Sequence, residues 1–370
     1  MTVALDHVIE GPDEAPVVVL AGSLGTTHAM WDEQAAVLAG EFRVVRYDHR
    51  GHGGSPAPPG PYTIDGLADD VLALLDALEI ERAAFVGLSL GGAVAMATAL
   101  RAPDRIERLA LCSTAARFGP PEGWVERAAT VRERGVEAVA PAVLERWLTP
   151  AAPAAMRERL EAMLLATNPE SYAACCEAIA GHDVRGRLGG LRLPVLAIAG
   201  GDDPATPPDW LEAVAGEVPG ARLHVIDGAR HIANVEFAPV FTRTLAAFLR
   251  GIPGMRARRE VLGDAHVDAA IERTSAFTAD FQDLITRYAW GEVWTRPGLD
   301  RRMRSAVTLT ALVAGGHEHE LAMHVRAARR NGLSAGEIEE ILLQTAIYCG
   351  VPAANSAFAV AQRVIDEEAR

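Results

Sequence analysis

Short apolar runs alternate with amphipathic segments through the first 250 residues, and after that the apolar runs stop. That change of rhythm limits the chain to two differently built parts. Val17-Val18-Val19-Leu20 is strand-sized and β-branched, so it reads as a buried strand. Phe42 to Tyr47, Ala83 to Val86, Leu109 to Cys112, Val195 to Ala199 and Leu223 to Ile226 read the same way. Helical patterns lie between them over Trp31 to Leu38, Thr63 to Leu78, Gly91 to Leu100 and Ala238 to Leu249. Strands that alternate with helices make a mostly parallel sheet covered on both faces.

From about residue 118 to 188 no strand is expected. Arg127 to Arg134, Val143 to Leu148, Met156 to Leu165 and Tyr172 to Ala180 read as helices. A helical insertion between two strands makes a lid over the carboxyl edge of the sheet, where such sheets hold ligands. Gly251-Ile252-Pro253-Gly254 is punctuated by Gly and Pro and is expected to be a linker. Beyond it, Asp264 to Phe277, Ala279 to Ala289, Asp300 to Ala314, His317 to Arg330, Ser334 to Cys349 and Pro352 to Glu368 read as helices. Ser334 and Glu337 form a capping box. The expected architecture is an α/β domain over residues 1–250, a linker at 251–254 and an all-α domain over 255–370.

Gly87-Leu88-Ser89-Leu90-Gly91 follows an expected strand and opens an expected helix, the context in which a sharp turn exposes a serine nucleophile. Asp203 follows the strand ending at Ala199, and His231 follows the strand ending at Ile226. The order Ser, Asp, His is the one this type of sheet uses. His231 is expected to take the Ser89 proton while Asp203 fixes its tautomer. Asp202 is the neighbouring competitor; Asp203 is preferred because Gly200-Gly201-Asp202-Asp203-Pro204 resembles the Gly-x-x-Asp pattern before a Pro-containing loop in hydrolases of this fold. The loop Gly22-Ser23-Leu24-Gly25 would face the serine, so the N–H groups of Leu24 and Leu90 are the expected oxyanion hole. The His-rich segment Asp48-His49-Arg50-Gly51-His52-Gly53-Gly54-Ser55 invites a metal proposal. We read it instead as a turn organised by Asp, Arg and Gly, so no metal or other cofactor is expected.

Residues 1–250 resemble the α/β-hydrolase superfamily. Within it, Ser23-Leu24-Gly25-Thr26, Tyr47 to Gly53, Gly87 to Gly92 and Arg146-Trp147-Leu148-Thr149-Pro150 in combination resemble the 3-oxoadipate enol-lactonases. A serine at position 89 argues against haloalkane dehalogenases and epoxide hydrolases, which have aspartate there. Residues 255–370 resemble the gamma-carboxymuconolactone decarboxylases through Phe281 to Trp294, Glu318 to Ala328 and Leu343 to Asn355. Some members of the wider all-helical superfamily are thiol-dependent peroxidase partners. His317 and Glu320 stand where those carry cysteines, so peroxide chemistry is not expected.

The resemblance implies a bifunctional enzyme of the protocatechuate branch of the beta-ketoadipate pathway. It would decarboxylate gamma-carboxymuconolactone and hydrolyse the resulting enol-lactone. His324 and Glu320 are four residues apart on one helix face, so His324 is the expected acid and Glu320 its orienter, keeping it protonated. His319 and Arg287 are weaker candidates for substrate carboxylates, and Tyr348 and Cys349 are expected in the core. The competing reading is a serine esterase carrying a non-catalytic helical oligomerisation domain.

The net charge of −14 argues against nucleic acid and anionic membranes as partners. No apolar run is long enough to span a bilayer. Four cysteines without a Cys-x-x-Cys pair fit a reducing compartment, so the expectation is a cytoplasmic homo-oligomer, assembled through the C-terminal domain, that acts on small lactones.

Overall fold

The computed structural model describes residues 2–275 and 277–368, without the side chain of residue 272. It divides into two compact units, Met1–Leu249 and Arg250–Arg370.

The first unit is built on a seven-stranded sheet. Its strands are β1 (His7–Glu10), β2 (Val17–Ala21), β3 (Arg43–Tyr47), β4 (Ala83–Leu88), β5 (Ile106–Cys112), β6 (Val195–Gly200) and β7 (Arg222–Ile226). The spatial order is β1-β3-β2-β4-β5-β6-β7, with β1 antiparallel to β3 and every other neighbouring pair parallel. All six expected strands form. β1 was not expected: its four residues are all half-buried, so it shows no alternation to read. β4 at the centre is wholly buried because helices cover both faces.

The helices Ile64–Ala77, Leu90–Arg101 and Ala238–Leu249 lie where the periodicity predicts them. Thr63 caps the first, its side chain accepting the Gly66 N–H. Between β5 and β6 run the helices Pro121–Arg134, Ala140–Trp147, Ala154–Leu165 and Pro169–Ala180, with no strand. The insertion reaches the β7 side of the sheet edge. The carbonyls of Arg146 and Trp147 accept the N–H groups of His231 and Ile232 at 3.3 and 3.2 Å.

The second unit is all helical among the described residues. Residues 251–254, expected as a linker, form the first turn of the helix Gly251–Leu262. Proline is tolerated there because the first-turn N–H groups have no acceptor within the helix. The helix expected over 264–277 ends at Glu272, and residue 276 lies outside the described residues. The helix Ala279–Ile285 continues into a π-helix, Thr286–Val293, that sequence periodicity did not reveal. The helices Arg301–Gly315, Glu318–Arg330, Ala335–Cys349 and Val351–Glu368 complete the unit, and both bonds of the Ser334–Glu337 capping box are present.

Two apolar clusters hold this unit. One gathers Leu309, Leu321, Val325, Ile338, Leu342 and Val364. The other packs Val261, Leu262, Val267, Trp290 and Ala327 against Met255, Trp294 and Met323. Tyr348, expected in the core, is 81% exposed, and Cys349 is half-buried. Ile347 next to Tyr348 is also exposed, so this end of the helix turns outward.

Candidate functional site

Ser89 sits between β4 and the helix Leu90–Arg101 with φ 57° and ψ −113°. A left-handed backbone at a non-glycine residue stores ~1–3 kcal/mol and persists only where its surroundings enforce it. Here the Ser89 N–H donates to Cys112 O at 2.9 Å, and Thr114 Oγ1 donates to Ser89 O at 2.8 Å. The flanking glycines permit the close approach. A Cβ on Gly87 would lie 2.2 Å from Gly91 O, and one on Gly91 would lie 2.4 Å from Ala21 O.

Asp203 and His231 meet directly, with Nδ1 and Oδ2 2.8 Å apart and both side chains buried. Burial alone would raise the Asp203 carboxyl. The charge of His231 and the bonds from His231 and Thr206 outweigh it and hold the carboxyl below its ordinary value. Asp203 Oδ1 accepts the Ala205 N–H at 2.8 Å, and Oδ2 accepts the Thr206 hydroxyl at 2.7 Å. The competitor, Asp202, is exposed. Among the described residues no hydrogen bond joins Ser89 Oγ to His231, a contact that in this kind of site tightens when substrate binds.

The Gly22–Gly25 loop lies against the serine turn, because the Gly91 N–H donates to Gly22 O at 3.0 Å. Leu90 is the first residue of its helix, so its N–H has no acceptor within it. The His-rich segment acts on this loop. His52 Nε2 accepts the Gly25 N–H at 2.9 Å, which requires its Nδ1–H to donate to Arg50 O, also at 2.9 Å. His49 Nε2 lies 3.1 Å from Gly22 O. Burial pushes His49 down to about 3, helped by the neighbouring charge of His52, and pushes His52 down to about 4. Both rings are therefore neutral at pH 7, as an accepting imidazole nitrogen demands.

Asp48 and Arg50 are bound into the same turn. Asp48 accepts N–H groups from His28 and Gly54, and Arg50 pairs with Asp70. Asp6, His28 and Asp48 also bring one ligand-type atom each within 4.8 Å of one another. The turn is legible in the sequence, but the bracing of the Gly22–Gly25 loop by His49 and His52 is not, since Gly25 and His52 are 27 positions apart.

In the second unit, His324 is half-buried on the helix Glu318–Arg330, while His317, His319 and Glu320 on the same segment are exposed. The expectation that Glu320 keeps His324 protonated is overturned. Burial, followed by the charge of His266, pushes His324 down to about 4, and Glu320 only partly opposes them. Among the described residues no hydrogen bond joins Glu320 to His324. Arg287 is held by Asp283 on its own helix at 2.6 Å, so its charge is already engaged. Arg258 and His266 went unnoticed in the sequence. Both belong to this cationic region: His266 is pushed down first by burial and then by Arg258, Arg273, Arg330 and His319. The spacing Met255, Arg258, Leu262 would have marked Arg258 as facing inward had residues 251–254 not been read as a linker.

Cys112, Cys175, Cys176 and Cys349 are free thiols. Among the described residues no helix is long and apolar enough to cross a membrane.

Residues 16–238 match the alpha/beta hydrolase fold family, and residues 279–363 match the carboxymuconolactone decarboxylase family. The 3-oxoadipate enol-lactonase 2 of Acinetobacter baylyi is 38% identical over 252 residues, spanning 67% of this chain and 94% of that protein. The 4-carboxymuconolactone decarboxylase of the same organism is 46% identical over 114 residues, spanning 31% of this chain and 85% of that protein. The crystal structure of the enol-lactonase from Burkholderia xenovorans LB400 superposes with a TM-score of 0.63 at 46% identity. That match covers 66% of this chain and 96% of the other.

Proposed function

Because this chain belongs to the alpha/beta hydrolase fold family over its first unit and to the carboxymuconolactone decarboxylase family over its second, we propose that it carries out two consecutive reactions. The second unit decarboxylates gamma-carboxymuconolactone to 3-oxoadipate enol-lactone, and the first unit hydrolyses that lactone to 3-oxoadipate. The observation that carries this reading is the tandem itself: one chain is similar to both a 4-carboxymuconolactone decarboxylase and a 3-oxoadipate enol-lactonase. The product of the first reaction is the substrate of the second, which supports a role in the protocatechuate branch of the beta-ketoadipate pathway.

In the decarboxylation, the carbon–carbon bond to the departing carboxylate breaks and carbon dioxide leaves. The electron pair flows through the conjugated C=C to the lactone carbonyl, giving a furan-like dienolate, so the ring itself is the electron sink. A proton then adds at the alpha carbon, and His324 is the group we assign to deliver it. His324 is neutral in the free protein at pH 7, so the negative charge of the bound substrate must raise its pKa until it takes up a proton from water. Glu320 adds to that field from one turn away.

In the hydrolysis, Ser89 Oγ attacks the lactone carbonyl as His231 takes its proton. Asp203 holds Nδ1 and stabilises the imidazolium. The N–H groups of Leu24 and Leu90 receive the oxyanion, where one donor is worth ~3 kcal/mol. The enol leaves and becomes the ketone, and water activated by His231 releases the acyl group from Ser89.

Exposed apolar stripes at Phe281, Leu284 and Tyr288 and at Leu343, Ile347 and Val351 support a homo-oligomer built through the second unit. The free thiols support a cytoplasmic location.

The test is the Ser89→Ala protein supplied with gamma-carboxymuconolactone, with carbon dioxide and enol-lactone followed together. Carbon dioxide should form while enol-lactone accumulates, decaying only at its spontaneous rate. No carbon dioxide above the enzyme-free rate, from folded protein, would leave an esterase with a helical assembly domain.

A further inference from the structure

Arg258 is 6% exposed on the helix Gly251–Leu262. Its fork donates only to neutral groups, Thr286 Oγ1 at 3.2 Å and Gln282 Oε1 at 3.0 Å. Its buried Nε has no acceptor, and among the described residues no carboxylate pairs with it. A guanidinium cannot lose its proton to escape burial, so an enclosed one without a counter-charge carries an unrelieved desolvation cost. Its charged neighbours do not relieve that cost: Arg259 adds positive charge and holds Asp264 and Asp268 for itself, and His266 feels Arg258 together with Arg273 and Arg330. The helix that carries Arg258 also contributes Val261 and Leu262 to an apolar cluster with Trp290, and Met255 and Met323, the latter the neighbour of His324, pack against that cluster. A buried, half-satisfied fork without a counter-charge favours an anion, and planar carboxylates match its geometry.

We propose that Arg258, with His266 beside it, is the carboxylate subsite of the decarboxylase centre, and that it takes the carboxylate the lactone keeps. This rests on the decarboxylase reading above. The choice of carboxylate follows from the chemistry. A guanidinium on the departing carboxylate would stabilise the ground state more than a transition state whose charge has moved to the lactone oxygen, and would slow the step. On the retained acetate arm the charge does not change during the reaction, so Arg258 anchors substrate without opposing the loss of carbon dioxide.

The test measures carbon dioxide release by the full-length protein, Arg258→Met and Arg258→Lys, with tricarballylate as an unreactive polyanion inhibitor. Arg258→Met should raise both KM and the inhibition constant by about 100-fold or more. Arg258→Lys should fall between the two, since it keeps the charge and loses the fork. Enol-lactone hydrolysis by the same samples should be unchanged. A KM and inhibition constant within about threefold of the parent in Arg258→Met would overturn the subsite and leave Arg258 as a brace for Gln282 and Thr286.

If Arg258→Met melts the second unit, the substrate esterified on its acetate arm decides. The parent protein should bind it about 100-fold more weakly, and Arg258→Lys should lose most of that discrimination; equal binding of ester and acid by the parent overturns the subsite. A parent protein that releases no carbon dioxide overturns the decarboxylase reading, and the subsite with it.

Discussion

Acidification should unfold the hydrolase unit through its buried neutral histidines. His49, His52 and His182 are each at most 5% exposed. Burial pushes them down to about 3, 4 and 4 from an ordinary 6.5. A histidine with a depressed folded pKa binds its proton less readily folded than unfolded. Its contribution to stability is therefore complete above pH 6.5 and is lost as pH falls from there towards 4. At pH 5.5 the unfolded chain holds close to three more protons at these sites than the folded one. Each proton tilts stability by about 1.4 kcal/mol per pH unit, so the three together give about 4. The slope depends on how many protons differ, not on where each folded pKa lies, as long as all stay well below 5.5. Asp48, whose carboxyl burial raises, opposes with at most one proton, leaving about 2–3 kcal/mol per pH unit. Against a total of ~5–15 kcal/mol, that brings a unit at the lower end of the range to its unfolding midpoint about two pH units below 6.5.

The assay is urea unfolding at pH values from 7 to 4.5, with hydrogen exchange read by mass in peptides from residues 2–249. A slope below about 1 kcal/mol per pH unit between pH 6 and 5 would refute the argument. So would imidazole resonances of all three histidines titrating near 6.5 in the folded protein.

Two further outcomes follow from the geometry. Asp203→Asn should leave the site packed but present the wrong His231 tautomer, cutting enol-lactone hydrolysis by about 10⁴-fold while carbon dioxide release is unchanged, as measured by separate assays of the two steps. Gly254→Ala would drive a Cβ to within 2.0 Å of Thr286 O and 2.9 Å of Gly291 N, prising the first helix of the second unit off the π-helix. It should lower that unit's stability by about 1–3 kcal/mol, seen as faster hydrogen exchange in residues 255–293, with hydrolase turnover unaffected.

Local chemistry wrote much of this protein into its sequence. The β-branched runs could only be buried strands. The glycines around Ser89, between a strand and a helix, pointed to a tight turn, and the Ser334 capping box marked a helix start on its own. The order of Ser89, Asp203 and His231 along the chain was readable because each follows its own strand, and strand order fixes where those strand ends meet. Two kinds of feature stayed hidden until the chain was folded. One was backbone geometry that local pattern does not encode. The half-buried edge strand His7–Glu10 takes its partner from β3, and the Gly-Pro segment at 251–254 becomes a helical turn because Gly254 lets two backbones touch. The other was protonation and charge. Spacing alone put Glu320 beside His324 and implied a cation, but the folded chain buries that histidine near His266 and leaves it neutral. The pairing of His52 with Gly25, and the enclosure of Arg258 without a counter-charge, likewise come from elements distant in sequence. Desolvation depends on everything packed around a group, so only the tertiary structure could decide which of these residues carry charge.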